Sequence, residues 1–261
     1  MKFHFIASEN PEAKEALKVL IKRYDQTKLE LSDVIIAIGG DGMLLKALRN
    51  SIEKNKPVFG LNKGNVGFLM NELSFDNLEN RIQTARKVKM HPLFMSAHKI
   101  NGNIFTELAV NEVSILRQTH QAAHLKITVD KKERLNELVC DGILVSTPIG
   151  STAYNLSARG PIIPLNANIL ALTPISSFRP RRWRGALLPQ RVKIRIEVLN
   201  FDTRPVSATA DNVEARDIKY IEISTDKTKK LTILHDSDHS LDERIMNCLL
   251  YTSPSPRDRV L

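Results

Sequence analysis

Val34-Ile35-Ile36-Ala37-Ile38-Gly39-Gly40-Asp41-Gly42 decides the fold of the first third of the chain. The unbroken apolar run Val34–Ile38, rich in β-branched residues, is the pattern of a strand covered on both faces, as in a parallel sheet. Glycines follow at once, and Leu44, Leu45, Leu48 and Ile52 then recur at helical spacing. Upstream, Lys2–Ile6 reads as a strand and Pro11–Arg23 as a helix, with Ala13, Ala16, Leu17 and Leu20 on one face and Asn10 as its cap. Downstream, Pro57–Leu61 reads as the next strand. Strand, helix, strand, helix, strand with short connections predicts a doubly wound, Rossmann-like α/β domain.

From about Lys89 the rhythm changes. Leu93–Ile100 and Ile104–Leu116 read as strands joined by the turn Asn101-Gly102. Leu125–Val129 and Leu138–Ser146 continue the pattern, and Val192, Ile194, Ile196 and Val198 alternate with mostly polar neighbours. Tyr220–Ser224 and Leu231–Leu234 add further strands. No long helical stripe interrupts this half, which predicts a β-sandwich. The expected organisation is therefore α/β plus all-β: residues 1–88 the Rossmann-like domain, 89–247 the β-sandwich, and 248–261 a tail of different character.

Composition narrows the function classes. The chain has 261 residues, 42% of them apolar and 26% charged, enough to bury a core and unlike a disordered chain. No apolar run is long enough to span a bilayer, and the N-terminus lacks the apolar core of a signal peptide, so the expected location is cytoplasmic with no membrane partner. Cys140 and Cys248 are too few for a disulfide framework. A net charge of +9 attracts polyanions of any kind. Aromatic residues are only 5% of the chain, a poor fit to stacked single strands, and no nucleic-acid partner is expected.

Four stretches carry chemistry. Gly39-Gly40-Asp41-Gly42 lies where ligands bind in an open α/β sheet, beyond the carboxyl end of a strand. Its glycines admit a phosphate to the backbone and to the helix N-terminus, with Asp41 accepting a hydroxyl proton or holding a metal-bound phosphate; the alternative is a tight turn with Asp41 as helix cap. No G-x-G-x-x-G opens either helix of this half, and no P-loop motif occurs. Gly60, Gly64 and Gly67 in the run Gly60–Leu69 mark either close ligand approach or a glycine-rich connection. Asn111-Glu112, poor strand formers inside the strand-like run Leu108–Leu116, suit either nucleoside recognition or a solvated face. Asp141–Ser157 runs from a strand into Ser146-Thr147-Pro148-Ile149-Gly150-Ser151-Thr152-Ala153-Tyr154-Asn155-Leu156-Ser157, dense in hydroxyls. Tyr154 there is either a base-stacking ring or core.

GGDG, then Asn-Glu within a strand, then the long Asp-Gly…Ser-Thr-Pro…Gly-Ser-Thr-Ala-Tyr-Asn stretch, in that order, resemble the bacterial ATP-dependent NAD kinase family. GGDG alone is shared with lipid kinases; the third motif is distinctive. The resemblance implies a kinase that moves the γ-phosphoryl group of ATP to the 2′-hydroxyl of the adenosine ribose of NAD, making NADP. It implies ATP and NAD as substrates, a divalent metal ion, Mg²⁺, carried by the nucleotide with no protein residue as sole ligand, and a homodimer or homotetramer. Carried over residue by residue, Asp41 is the proton acceptor, Gly42 and Lys46 flank the dinucleotide, and Asn111 and Glu112 hold the nucleoside. Asp141, Ile149, Thr152, Ala153, Tyr154, Asn155, Leu156 and Ser157 line the rest, and Asn212 approaches the substrate. Ile149 stands where the family usually has Thr. Two features outside the motifs are the basic run Arg179–Arg184, expected to be a solvated loop in preference to a contact with phosphates or a neighbouring subunit, and His235, Asp236, Asp238 and His239, which lack zinc spacing.

Overall fold

The computed structural model describes residues 1–63 and 67–237. These divide into two units, residues 1–90 with 230–237 and residues 91–229.

In the first unit, strands β1 (Phe3–Ala7), β2 (Val34–Gly39) and β3 (Val58–Asn62) pair in parallel in that order. Helix α1 (Pro11–Tyr24) begins at Asn10, whose Oδ1 accepts the Glu12 N–H at 2.9 Å. Pro11 occupies the first turn, where its missing N–H costs nothing. Ala13, Ala16 and Leu20 share one core with Phe3, Phe5, Val34, Ile36 and Ile38. Side chains alternate across a strand, so Ile35 and Ala37 point to the opposite face. Helix α2 (Asp41–Ser51) covers that face: a Cβ on Gly60 of β3 would lie 3.1 Å from Leu44 Cδ1 and 2.6 Å from Met70 Sδ. Gly60 is therefore a packing glycine. α2 buries Met43, Leu44, Ala47 and Leu48, a stripe turned away from the expected Leu45, which is half-buried. Helix α3 (Leu78–Thr84) and strand β4 (Arg86–Met90) complete this part. Neither is obvious in the sequence, β4 because Arg86-Lys87-Val88-Lys89 is mostly basic, as suits an edge strand.

The second unit carries β5 (Leu93–Lys99), β6 (Ile104–Ala109), β7 (Glu112–Arg117), β8 (Ala123–Val129), β9 (Lys132–Cys140), β10 (Gly142–Ser146), β11 (Ile169–Ile175), β12 (Ala186–Pro189), β13 (Ile194–Leu199), β14 (Val206–Ala210), β15 (Val213–Ala215) and β16 (Ile218–Thr225). They form two six-stranded antiparallel sheets, β12-β11-β10-β7-β14-β15 and β6-β5-β16-β13-β8-β9. A single core of Met95, Leu125, Ile143, Ile196, Val206 and Ile221, among others, lies between them, the expected sandwich. The Asn101-Gly102 turn joins β5 to β6, with Gly102 at φ +86°. Ile104–Leu116 and Leu138–Ser146 are not single strands as their apolar pattern suggests. Each is two strands in different sheets, bending at Val110-Asn111 and at Asp141. At the second corner a Cβ on Gly142 would fall 2.2 Å from the Ile115 carbonyl oxygen, so no larger residue fits there. The basic run Arg179–Arg184 is exposed apart from Pro180 and Trp183, and the Trp183 ring packs on the core.

The run Leu231–Leu234, expected in the sandwich, belongs instead to the first unit as β17 (Leu231–His235). It pairs parallel to β3 and antiparallel to β4, giving the sheet order β1-β2-β3-β17-β4. A five-residue apolar strand carries no local mark of the sheet it joins. A tertiary bond supplies it: buried Asn71 donates its amide to Gly60 O at 3.0 Å and Leu234 O at 3.1 Å, and accepts the Asp236 N–H at 3.0 Å. The tail 248–261, Gly64-Asn65-Val66, Asp238 and His239 lie outside the described residues.

Candidate functional site

Each unit holds part of the motif set. In the first, Gly39 closes β2 at φ +151°, and a Cβ there would sit 3.0 Å from Ser8 Oγ and 3.1 Å from Met43 Cβ. Gly40, not Asp41, is the N-cap of α2, and its carbonyl accepts the N–H groups of Met43 at 2.9 Å and Leu44 at 3.2 Å. The cap role considered for Asp41 therefore falls away. Asp41 is the first helical residue, and its carboxylate reaches out to the following loop. Oδ2 accepts the Phe68 N–H and Oδ1 the Leu69 N–H, both at 3.0 Å. A Cβ on Gly42 would meet nothing within 4 Å among the described residues, so the first turn of α2 is open at that point with respect to them. Gly67 is different: a Cβ there would lie 2.7 Å from Met70 Cγ, which makes it a packing glycine like Gly60. Lys46 is exposed on α2. Its charge adds to that of Lys14, the larger influence, in holding the Glu9 carboxyl below the usual carboxylate range.

In the second unit, Asn111 and Glu112 stand at the corner where the chain passes from β6 to β7. Asp211, in the turn between β14 and β15, sets that corner. Its Oδ2 accepts the Val110 N–H at 2.8 Å, and its Oδ1 accepts those of Asn111 at 2.8 Å and Glu112 at 3.3 Å. The Asp141–Ser157 stretch packs against the same corner. Thr147 N–H donates to Asn111 O at 2.9 Å and Thr147 Oγ1 to Val110 O at 2.7 Å. A Cβ on Gly150 would overlap Asn111 O at 2.2 Å. Glu112 is 9% exposed, and its Oε2 is buried with no hydrogen-bond partner among the described residues. Burial first, and the Asp211 carboxylate second, push its carboxyl up to about 7. Tyr154 opens α4 (Tyr154–Ser157) and is 36% exposed, so it is not a core residue. Its phenol is raised by burial, then by Glu112 and Asp141, which places these three groups in one electrostatic neighbourhood. Asp141 itself pairs with Arg117 Nε at 2.6 Å.

The other expected residues divide by exposure. Leu156, Ser157 and Asn212 are at the surface, and Thr152 and Ala153 are half-buried. Ile149 is 2% exposed and turns inward. Asn155 is fully buried: its Nδ2 donates to Ser151 O at 3.2 Å and Pro161 O at 2.9 Å, and its Oδ1 accepts from Thr173 Oγ1 at 2.7 Å. The Ile149 and Asn155 side chains thus shape the loop from within. Sequence reading missed Asp211, whose only local signal is an Asp-Asn turn with φ +53° at Asp211. Among the described residues no three His, Cys, Asp or Glu side chains converge to hold a metal ion. Asp236 is instead paired with Arg81 at 2.6 Å, and His235 is buried. Burial pushes the Cys140 thiol up to about 12, which leaves it protonated and inert.

Both units match one family: the ATP-NAD kinase N-terminal domain over residues 2–89 and the ATP-NAD kinase C-terminal domain over residues 110–242. The chain belongs to the ATP-NAD kinase family. Among its relatives is the NAD kinase of Caulobacter vibrioides, 52% identical over 93% of each chain. That of Hyphomonas neptunium is 50% identical over 94% of this chain and 96% of its own. Two solved structures share the fold. Yeast NADH kinase complexed with NADH aligns with a TM-score of 0.83 over 97% of this chain and 88% of its own, at 21% identity. An NAD kinase from Archaeoglobus fulgidus in complex with ATP aligns with a TM-score of 0.74 over 95% and 97%, at 23% identity.

Proposed function

We propose that Asp41 is the residue that directs the acceptor hydroxyl in this chain, an ATP-dependent NAD kinase. The reaction joins the 2′-oxygen of the adenosine ribose of NAD to the γ-phosphorus of ATP and breaks the bond to the β–γ bridging oxygen, giving NADP and ADP. The hydroxyl proton goes to the Asp41 carboxylate. The observation that carries this reading is the placement of Asp41, a carboxylate in the first turn of α2 beside the open turn at Gly42, anchored by two backbone N–H groups. A ribose hydroxyl is a weak nucleophile until its proton is aimed at an acceptor, and the loose transition state makes orientation the main contribution. N–H groups of the first turn of α2 suit phosphate oxygens, with Lys46 adding charge nearby.

The second unit supplies recognition. Asn111 carries both a donor and an acceptor for a base edge, and Glu112 accepts from sugar hydroxyls. Support for Glu112 is its buried Oε2, a polar atom that the described residues leave without a partner. The Tyr154 ring is exposed enough to stack on a base, with Asp141 in its neighbourhood and Leu156, Ser157 and Asn212 exposed for contact with the ligand. Asn155 and Ile149 act by shaping the loop, and Thr152 and Ala153 through its backbone. Mg²⁺ arrives on the triphosphate as part of the substrate, where it neutralises the charge that moves between the β- and γ-phosphates. The chain works as a homodimer or homotetramer in the cytoplasm, as the family likeness suggests. No helix among the described residues is long and apolar enough to cross a membrane.

The test is NADP formation by the purified chain from Mg·ATP and NAD, with NADH and diacylglycerol as alternative acceptors and with Asp41→Asn beside the wild type. NADP formed by the wild type and nearly abolished in the variant supports the reading. Full activity in the variant removes Asp41 from the reaction, and transfer to diacylglycerol alone would replace the acceptor.

A further inference from the structure

We infer that Asp211 is a positioning residue for NAD: its carboxylate fixes the Val110–Glu112 corner and so aims Asn111 and Glu112. The inference rests on the recognition roles proposed for those two residues. Three consecutive N–H groups converge on one carboxylate, at 2.8, 2.8 and 3.3 Å. The contact is reciprocal, since the Asp211 N–H donates to Glu112 O at 3.0 Å. Glu112 is thus held at both its N–H and its carbonyl. Asn111 is held the same way, its N–H by Asp211 and its carbonyl by Thr147 N–H at 2.9 Å. With both peptides fixed, the side chains inherit a defined direction.

The turn alone does not require aspartate. Asp211 sits at φ +53°, a conformation that Asn and Gly adopt as readily. The corner does require it, because only an acceptor-only group receives three N–H donors without presenting one of its own. The choice also has an electrostatic cost, since the Asp211 charge raises the carboxyl of Glu112 beside it. A residue selected for the turn alone would avoid that cost.

The experiment compares the wild type with Asp211→Asn and Asn111→Ala, measuring NADP formation against NAD and against ATP. In Asp211→Asn an NH₂ replaces one of the two accepting oxygens and faces a backbone N–H, so the KM for NAD should rise about tenfold, with kcat and the ATP KM within about threefold. Amide exchange should quicken at 110–112 and not in the first unit. A KM for NAD unchanged in Asp211→Asn but raised in Asn111→Ala overturns this inference alone. A KM unchanged in Asn111→Ala overturns the recognition role on which it rests. Where Asp211→Asn does not fold, Asp211→Ser retains one acceptor and takes its place. Failure of both to fold assigns Asp211 to the fold and also overturns the inference.

Discussion

Glu112 makes the stability of this protein depend on pH in a way that one substitution should remove. Its carboxyl is raised from an ordinary 4.5 to about 7, first by burial and then by Asp211. The folded chain therefore holds a proton that the unfolded chain has already lost. The sign follows: below about 4.5 the group costs nothing, stability falls as pH rises from there, and above about 7 the full cost of the buried anion is present. At about 1.4 kcal/mol per pH unit of displacement, that cost is about 3–4 kcal/mol. Glu112→Gln keeps the shape and cannot ionise. Relative to the wild type it should gain about 2–3 kcal/mol of stability between pH 5 and pH 8.5. For a domain of this size that is about 10 °C in melting temperature. Differential scanning fluorimetry of both proteins at several pH values measures it, and taking the difference cancels other titrating groups. A gap between the two melting curves that stays constant from pH 5 to 8.5 would refute the argument.

Asp41→Asn should lower turnover by about 10²–10⁴-fold, the range for loss of a general base, with NAD affinity much less affected; steady-state kinetics and calorimetric titration separate the two. The same variant places an NH₂ against the Phe68 and Leu69 N–H groups, so exchange at 68–69 should also quicken. Tyr154→Phe should be nearly silent, whereas Tyr154→Ala should weaken NAD binding by about 1–3 kcal/mol if the ring stacks on a base; equal damage from both would point to the hydroxyl. Asn155→Ala leaves Thr173 and two carbonyls without their partner and should cost about 3 kcal/mol of stability, read as a lower melting temperature at any NAD concentration.

What could be read in the sequence was whatever is encoded locally. The Val34–Ile38 run, the Asn10 cap and the Asn101-Gly102 turn each carry their own instruction, and the structure uses them as expected. Strand membership is not local. Leu231–Leu234 has the same pattern whether it joins a sandwich or a parallel sheet, and Asn71, 160 residues earlier, decides the matter through Leu234 O and Asp236 N–H. Periodicity was equally blind to the corners at Val110-Asn111 and Asp141, because strands continue on both sides and only their partners change. In the site, residue type singles out Glu112, Tyr154 and Asn155 alike, and only the structure separates the buried Asn155 side chain from the exposed Tyr154 ring. A polar residue in a hydroxyl-rich loop looks ligand-facing until its burial is known. Asp211 escaped notice because its partners are backbone N–H groups, which no sequence pattern displays.

The late return of β17 has a consequence for how the molecule is made. β4 pairs with β17, which also borders β3, so the interior of the first sheet has a gap until residue 235 has been synthesised. The whole of residues 91–229 leaves the ribosome before that gap can close. The sandwich can therefore be finished while the GGDG unit still lacks an interior strand, although the GGDG residues themselves are translated early. Met90 and Leu231 lie opposite each other in the β4–β17 pair. The sandwich is thus an insertion whose two ends leave the sheet side by side, and a short hairpin turn would span the same gap.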